Sequence, residues 1–165
     1  AGINGVKASA ENELAPKIMI HIDKGGDWAF TKYWYDKLHT YGIEYDMIGQ
    51  SYYPWWHGNL LQLRECLNNS ALAYKKPIIL VETAYNFGQA EYRNKMAPYD
   101  ESPEGQKQFV EDVHQIILQV PNSLGKGIFW WEAAAPFKAF SYRTYFTNEG
   151  NPPPVLTVFD KYTRH

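Results

Sequence analysis

The sequence predicts an α/β fold built on parallel strands, and three observations predict it. Four apolar segments, each ending in polar or aromatic residues, alternate with three segments of helical periodicity. The apolar segments are short and almost wholly hydrophobic, as strands covered on both faces are. Their ends recur evenly, with 29 residues from Asp23 to Tyr52 and 30 from Tyr52 to Glu82. Strand–helix–strand order at that spacing favours right-handed crossovers within one sheet.

The strands are Lys17–Asp23, Asp46–Tyr52, Ile78–Glu82 and Gly127–Trp131. Between the first two, Asp27 is placed to cap a helix running to about Tyr41, with Phe30, Trp34, Leu38 and Tyr41 as its apolar stripe and Gly42 in its C-terminal turn. Asn59 opens the next helix, whose Leu60, Leu63, Leu67, Ala71 and Tyr74 share a face. Lys75 and Lys76 follow at the negative end of its dipole. Ser102-Pro103-Glu104 starts the third, with serine as cap, proline at the first helical position and an acid in the first turn. Phe109, Val113, Ile116 and Val120 supply its stripe. The interval from Glu82 to Trp131 is longer, 49 residues, and Tyr85–Glu101 reads as a long rim loop. Asn151-Pro152-Pro153-Pro154 excludes a helix or central strand there, so the tail is expected to run irregularly and pack back through Val155, Leu156, Val158 and Phe159.

Composition bounds the function. With 165 residues, 45% of them hydrophobic, the chain suffices for one core and one domain. A net charge of −2 with scattered Lys and Arg argues against nucleic acid and anionic membranes as partners, and no apolar run approaches membrane-spanning length. The N-terminal segment has no secretion-signal pattern. Cys66 is the single cysteine and reads as a packed thiol. No G-x-G-x-x-G or Walker loop is present, the His residues lack metal-site spacing, and Gly49-Gln50-Ser51 lacks the second glycine of a nucleophile elbow. No cofactor or metal is expected.

The strand ends carry the chemistry. In parallel α/β folds, loops converge beyond the C-terminal ends of strands, and each strand holds its last side chains rigidly. Glu82, an ionisable carboxylate closing Pro77-Ile78-Ile79-Leu80-Val81, stands out first. His21, Asp23, Ser51, Tyr52, Tyr53 and Trp131 end the neighbouring strands, with the Trp55-Trp56 pair just beyond. Six Trp, thirteen Tyr and eight Phe are many for this length, and aromatic faces stack on the C–H faces of sugar rings while carboxylates and imidazoles bind hydroxyls. Trp34 and Phe109 are assigned to the core, Trp131 and the Trp55-Trp56 pair to ligand. Alternation puts His21 and Asp23 on the side opposite Ile18, Ile20 and Ile22.

At this point the residues resemble a known family. Lys17-Ile18-Met19-Ile20-His21-Ile22-Asp23, Asp46-Met47-Ile48-Gly49-Gln50-Ser51-Tyr52-Tyr53-Pro54 with Trp56-His57-Gly58, Val81-Glu82-Thr83-Ala84-Tyr85, Ser102-Pro103-Glu104-Gly105-Gln106 and Trp131-Glu132 are similar, in order and spacing, to the family 53 glycoside hydrolases, arabinogalactan endo-β-1,4-galactanases. The resemblance implies a parallel (β/α) barrel of the TIM type. Residues 1–165 would be the C-terminal half of the catalytic domain, about strands five to eight. It implies a retaining two-glutamate mechanism with Glu82 as nucleophile, beside which His21, Asp23, Ser51, Tyr52, Tyr53, Trp55 and Trp131 are assigned to substrate binding from their places at the strand ends. The acid/base glutamate belongs to an Asn-Glu pair ending strand four, which nothing in this chain matches. Glu132-Ala133-Ala134-Ala135 also departs from the family's usual Glu-Pro continuation. The resemblance further implies plant galactan as substrate, an extracellular or periplasmic setting, and a complementary N-terminal half or self-association. An isolated chain would then be inactive. A carbohydrate-binding half-barrel without turnover is the alternative, and a mannan- or cellulose-cleaving relative a third.

Overall fold

A computed structural model describes residues 2–9, 16–88, 95–134, 142–147 and 149–162. Four strands, β1 (Met19–Ile22), β2 (Met47–Tyr52), β3 (Ile78–Thr83) and β4 (Gly125–Trp130), form one sheet in the order β1-β2-β3-β4. Every neighbouring pair is parallel. Helices α2 (Trp28–Thr40), α3 (Leu60–Tyr74) and α4 (Pro103–Leu118) cross over between successive strands. A short helix, α1 (Gly2–Ser9), precedes β1 and is tied by Lys7 to Glu44 at 2.8 Å. The predicted strands and their parallel pairing are borne out, each within about two residues.

The caps explain where the helices begin. The Asp27 carboxylate accepts from Phe30 N, Asn59 and Gln62 form a reciprocal capping box, and the Ser102 hydroxyl accepts from Gly105 N with Pro103 at the first position. Each such cap contributes about 1 kcal/mol. Lys75, at φ +52°, ends α3 in the left-handed region.

One face of the sheet is covered. Ile48, Tyr52, Ile78 and Leu80 are fully buried beneath Leu63, Leu67, Phe109, Val113 and Ile116 of the helices. Cys66 is a packed thiol, as expected, and donates to Thr31 Oγ1 at 3.3 Å. The stripe expected on α2 is corrected, because Trp34 and Tyr41 are exposed. Thr31 and Tyr35 instead face the sheet, and Tyr35 donates to Ile20 O at 2.7 Å. Aromatic spacing misled because Phe30 and Trp34 each precede a sheet-facing residue, Thr31 and Tyr35, by one position, about a quarter of a turn around the helix.

The tail differs in one respect. Residues after Asn151 are extended through Pro153, but Pro154–Lys161 then forms a 3-10 helix whose Val155 and Val158 are fully buried. Proline is tolerated in a first helical turn, so Pro154 starts this helix. Phe159 and Tyr162 pack on His114 of α4 at ring separations of 5.5 and 5.1 Å.

Among the described residues, the opposite face of the sheet is open. A Cβ on Gly49 would lie 2.8 Å from Met19 Sδ and 3.2 Å from Val81 Cγ1, so these three residues share that face. By alternation Phe129 lies there too, 61% exposed, because Ile128 and Trp130 pack into the core. Four strands, one covered face and one open apolar face make this a partial barrel. Among the described residues no helix is long and apolar enough to cross a membrane.

Candidate active site

Simple alternation along β3 would bury Glu82. Ile78 and Leu80 face the helices, so period-two spacing sends Glu82 the same way. The ladder prevents it. Gln50 pairs with Leu80, but the next residue, Ser51, pairs with Glu82, leaving Val81 as an extra residue in β3. This β-bulge rephases the strand end, so Val81 and Glu82 both reach the open face while Thr83, opposite Tyr52, returns to the core.

Around Glu82 the open face becomes polar. Tyr53 Oη donates to Glu82 Oε2 at 3.3 Å. Ser51, the register partner of Glu82, has its Oγ 2.7 Å from His21 Nε2. Ser51 is 4% exposed, whereas the His21 imidazole is open to solvent. Asp23 follows β1 and is exposed at the same C-terminal end. Trp131 closes the other side, 40% exposed and anchored by its backbone N–H to Thr83 O at 2.8 Å. Glu82, Tyr53, Ser51, His21, Asp23 and Trp131 are therefore all at the C-terminal end of the sheet. A carboxylate there, held by a phenol and flanked by imidazole, hydroxyl and indole, suits nucleophilic attack on a polyhydroxylated substrate.

Two expected binding residues are corrected. Tyr52 is fully buried, stacked on Phe109 with ring centroids 6.3 Å apart, and its hydroxyl donates to Gly58 O at 2.9 Å. It sits between Ser51 and Tyr53, so the pleat sends it to the helical face. Trp55 is 5% exposed and stacked on Tyr85 at 5.5 Å. The turn after β2 folds it under the sheet end, and its partner Trp56 is the outward indole, 45% exposed. Trp56 lines a groove of about 510 Å³ with Lys24, Trp28, His57, Gln62 and Glu65.

The loop after β1 is pressed onto the turn after β2. Gly25 N donates to Ser51 O at 2.8 Å, and a Cβ on Gly26 would lie 1.9 Å from His57 O. His57 itself is half-buried with Nδ1 against backbone, and burial holds its pKa below the usual histidine value. Its contact with the strand was not legible in sequence, although the pair Gly25-Gly26 signals close backbone approach. Glu132 is exposed, in a turn at φ +62°. Among the described residues, no group of three or more His, Cys, Asp or Glu is placed to hold a metal.

Comparison with known proteins places this geometry. The profile of glycosyl hydrolase family 53 matches residues 1–163. The chain belongs to that family. It is 33% identical over 174 residues to an arabinogalactan endo-β-1,4-galactanase of Thermothelomyces thermophilus, covering 95% of this chain and 51% of that protein. It is 43% identical to an uncharacterised protein in the bgaB 5′ region of Niallia circulans, covering 96% of this chain and 44% of that one. Among solved structures, a fungal β-1,4-galactanase superimposes with a TM-score of 0.80 at 32% identity, over 95% of this chain and 51% of the other. The chain thus spans about half the length of the family 53 relatives it matches, and it forms the C-terminal part of their domain. The catalytic core of a xylanase A, at 14% identity and a TM-score of 0.67, shares the barrel fold.

Proposed function

We propose that this chain is the nucleophile-bearing half of a retaining endo-β-1,4-galactanase. The observation that carries the reading is the β3 bulge, which turns Glu82 to the open face and onto the Tyr53 hydroxyl. Membership of a family whose relatives include galactanases supports the substrate.

The chemistry needs two carboxyl groups about 5–5.5 Å apart. Glu82 attacks the anomeric carbon and forms a glycosyl-enzyme ester, which water then hydrolyses. The Tyr53 hydroxyl fixes the attacking oxygen's rotamer. His21 and Ser51, bonded to each other, and Asp23 bind hydroxyls of the galactose in the cleaved subsite, and Trp131 stacks on a sugar face. The second carboxyl, which protonates the leaving oxygen and later activates water, comes from a partner segment that closes the open apolar face. Such positioned proton transfer is worth about 10²–10⁴-fold. A polymeric substrate from plant cell walls places the reaction outside the cell.

The test is complementation. Purified 165-residue chain is assayed on β-1,4-galactan alone and with a family 53 segment bearing strands one to four. Negligible reducing sugar from the chain alone, and release on mixing, supports the proposal. Robust turnover by a demonstrated monomer would refute it, and so would cleavage of mannan or cellulose in preference to galactan. Galactan binding that persists with no turnover under any pairing would leave a binding module instead.

A further inference from the structure

His57 lies outside the set that touches substrate in the reading above, yet its side chain is tied to the strand that carries that set. Trp56 N and His57 N both donate to Tyr53 O, at 3.0 and 2.9 Å, and this turn swings the imidazole back over the end of β2. There Nδ1 lies 3.2 Å from Tyr53 N and 3.1 Å from Ser51 O. A neutral imidazole nitrogen either accepts from an N–H or donates to a carbonyl, so each tautomer binds this same stretch of backbone. Burial keeps the ring's pKa low, which favours the neutral form, while the hydrogen bond to the Ser51 carbonyl and, less, nearby Asp23 and Glu82 oppose that effect.

The stretch so held is the one with the most at stake. Ser51 sends Oγ to His21, and Tyr53 sends Oη to Glu82. Between them Tyr52 is anchored in the core through Phe109 and Gly58 O. From the other side, Gly25 N donates to Ser51 O and Gly26 presses on His57 O. The His57 ring also meets the Tyr53 ring edge-on, with centroids 5.8 Å apart at 70°, which limits rotation of the phenol. Backbone, ring and loop contacts therefore converge on the orientation of one hydroxyl, Tyr53 Oη.

We propose that His57 is a positioning residue for Glu82: through Nδ1 it fixes the backbone of the Ser51–Tyr53 segment, so that Tyr53 Oη stays on the Glu82 carboxylate. It contacts no sugar. The proposal rests on the assignment of Glu82 as nucleophile, and it predicts a kinetic signature different from that of a groove residue.

The experiment compares His57→Leu, His57→Gln and His57→Asn in the galactan-cleaving assembly, with Tyr53→Phe as reference. Asparagine places its amide near the position of Nδ1, whereas glutamine places it nearer Nε2. Leucine and glutamine should lower kcat by roughly 10²-fold, the scale of an ångström's misplacement, with KM for galactan unchanged. Asparagine should restore most of the loss. Combined with Tyr53→Phe, His57→Gln should add little, because both act through one hydroxyl. A raised KM with unchanged kcat would overturn the proposal in favour of a sugar contact, and full additivity with Tyr53→Phe would overturn it too. Should leucine prevent folding, the glutamine and asparagine variants decide the matter. One arm is independent of turnover. In crystal structures of the variants, Tyr53 Oη should leave hydrogen-bond range of Glu82 in His57→Gln and keep it in His57→Asn, and an unmoved Tyr53 in His57→Gln would sink the idea. If no assembly cleaves galactan, the functional reading fails by itself while this structural arm still decides the role of His57.

Discussion

Ser51 and Glu82 stand opposite each other on β2 and β3 although their neighbours Gln50 and Leu80 set a register one residue shorter. The difference is the bulge at Val81. It converts a strand that would otherwise bury its only carboxylate into one that presents it beside Tyr53. Bulges next to active sites re-aim side chains, and here the re-aimed group is the proposed nucleophile.

Replacing that carboxylate tests the proposal most directly. In a competent assembly, Glu82→Gln should reduce galactan turnover by orders of magnitude while oligosaccharide affinity, measured calorimetrically, stays near the wild-type value. The change removes the attacking oxygen's charge and hardly any volume.

Gly26→Ala should be as damaging as many active-site substitutions, although Gly26 has no side chain. The added Cβ would lie 1.9 Å from His57 O, a backbone atom that cannot swing aside. The loop after β1 must then lift by about an ångström, carrying Asp23 with it. Turnover should fall roughly 10²-fold. Unchanged kinetics would show that the two loops move freely of each other.

Phe109 is the stability counterpart. It is fully buried and stacks on Tyr85 at 4.6 Å and on Tyr52 at 6.3 Å, with Trp130 edge-on at 6.3 Å. Phe109→Ala should cost about 3–5 kcal/mol in urea unfolding, with no effect on the chemical step beyond the loss of folded protein. A cost near zero would mean that the aromatic stack is not part of the cooperative core.

Stability should decline on mild acidification. Burial lowers the pKa of His57 and of His114, whose Nδ1–H donates to Val110 O at 2.7 Å. In the unfolded chain both titrate near 6.5, so below about pH 6.5 the unfolded state takes up protons that the folded state refuses. The stabilisation is complete above that pH and is lost as pH falls toward the depressed folded values. His114→Phe keeps a ring against Tyr162 and should flatten the pH dependence of the urea midpoint. An unchanged slope would acquit His114.

The open face should be where activity is assembled. Phe129, 61% exposed, makes no contribution to the covered core, so Phe129→Asp should leave the chain's own unfolding transition nearly unchanged. It should nevertheless abolish activity recovered on adding the strand-one-to-four segment, because a charge would be buried without a partner. Recovery at the wild-type level would place the partner's contact elsewhere.

The parallel sheet, its order, its helix starts and the polar character of its strand ends were legible in the sequence by itself. They depend on local rules: apolar runs of strand length, caps such as Asn59 and Ser102, and the handedness of crossovers. The site was legible as a set of strand ends, Glu82 stood out among them as the carboxylate closing an apolar run, and the family resemblance gave it the nucleophile's role. What tertiary structure alone decided is the direction of each side chain at those ends. Tyr52 and Trp55 read as ligand-binding aromatics but are core residues, while Tyr53 and Trp56 beside them face outward. One residue of phase separates the two outcomes, and phase is set by pairing: the Val81 bulge, the Tyr53–His57 turn and the glycines that let one loop lie against the next. The bulge and the loop contact are relations between segments about 30 residues apart in sequence, and periodicity within any one segment carries no trace of them.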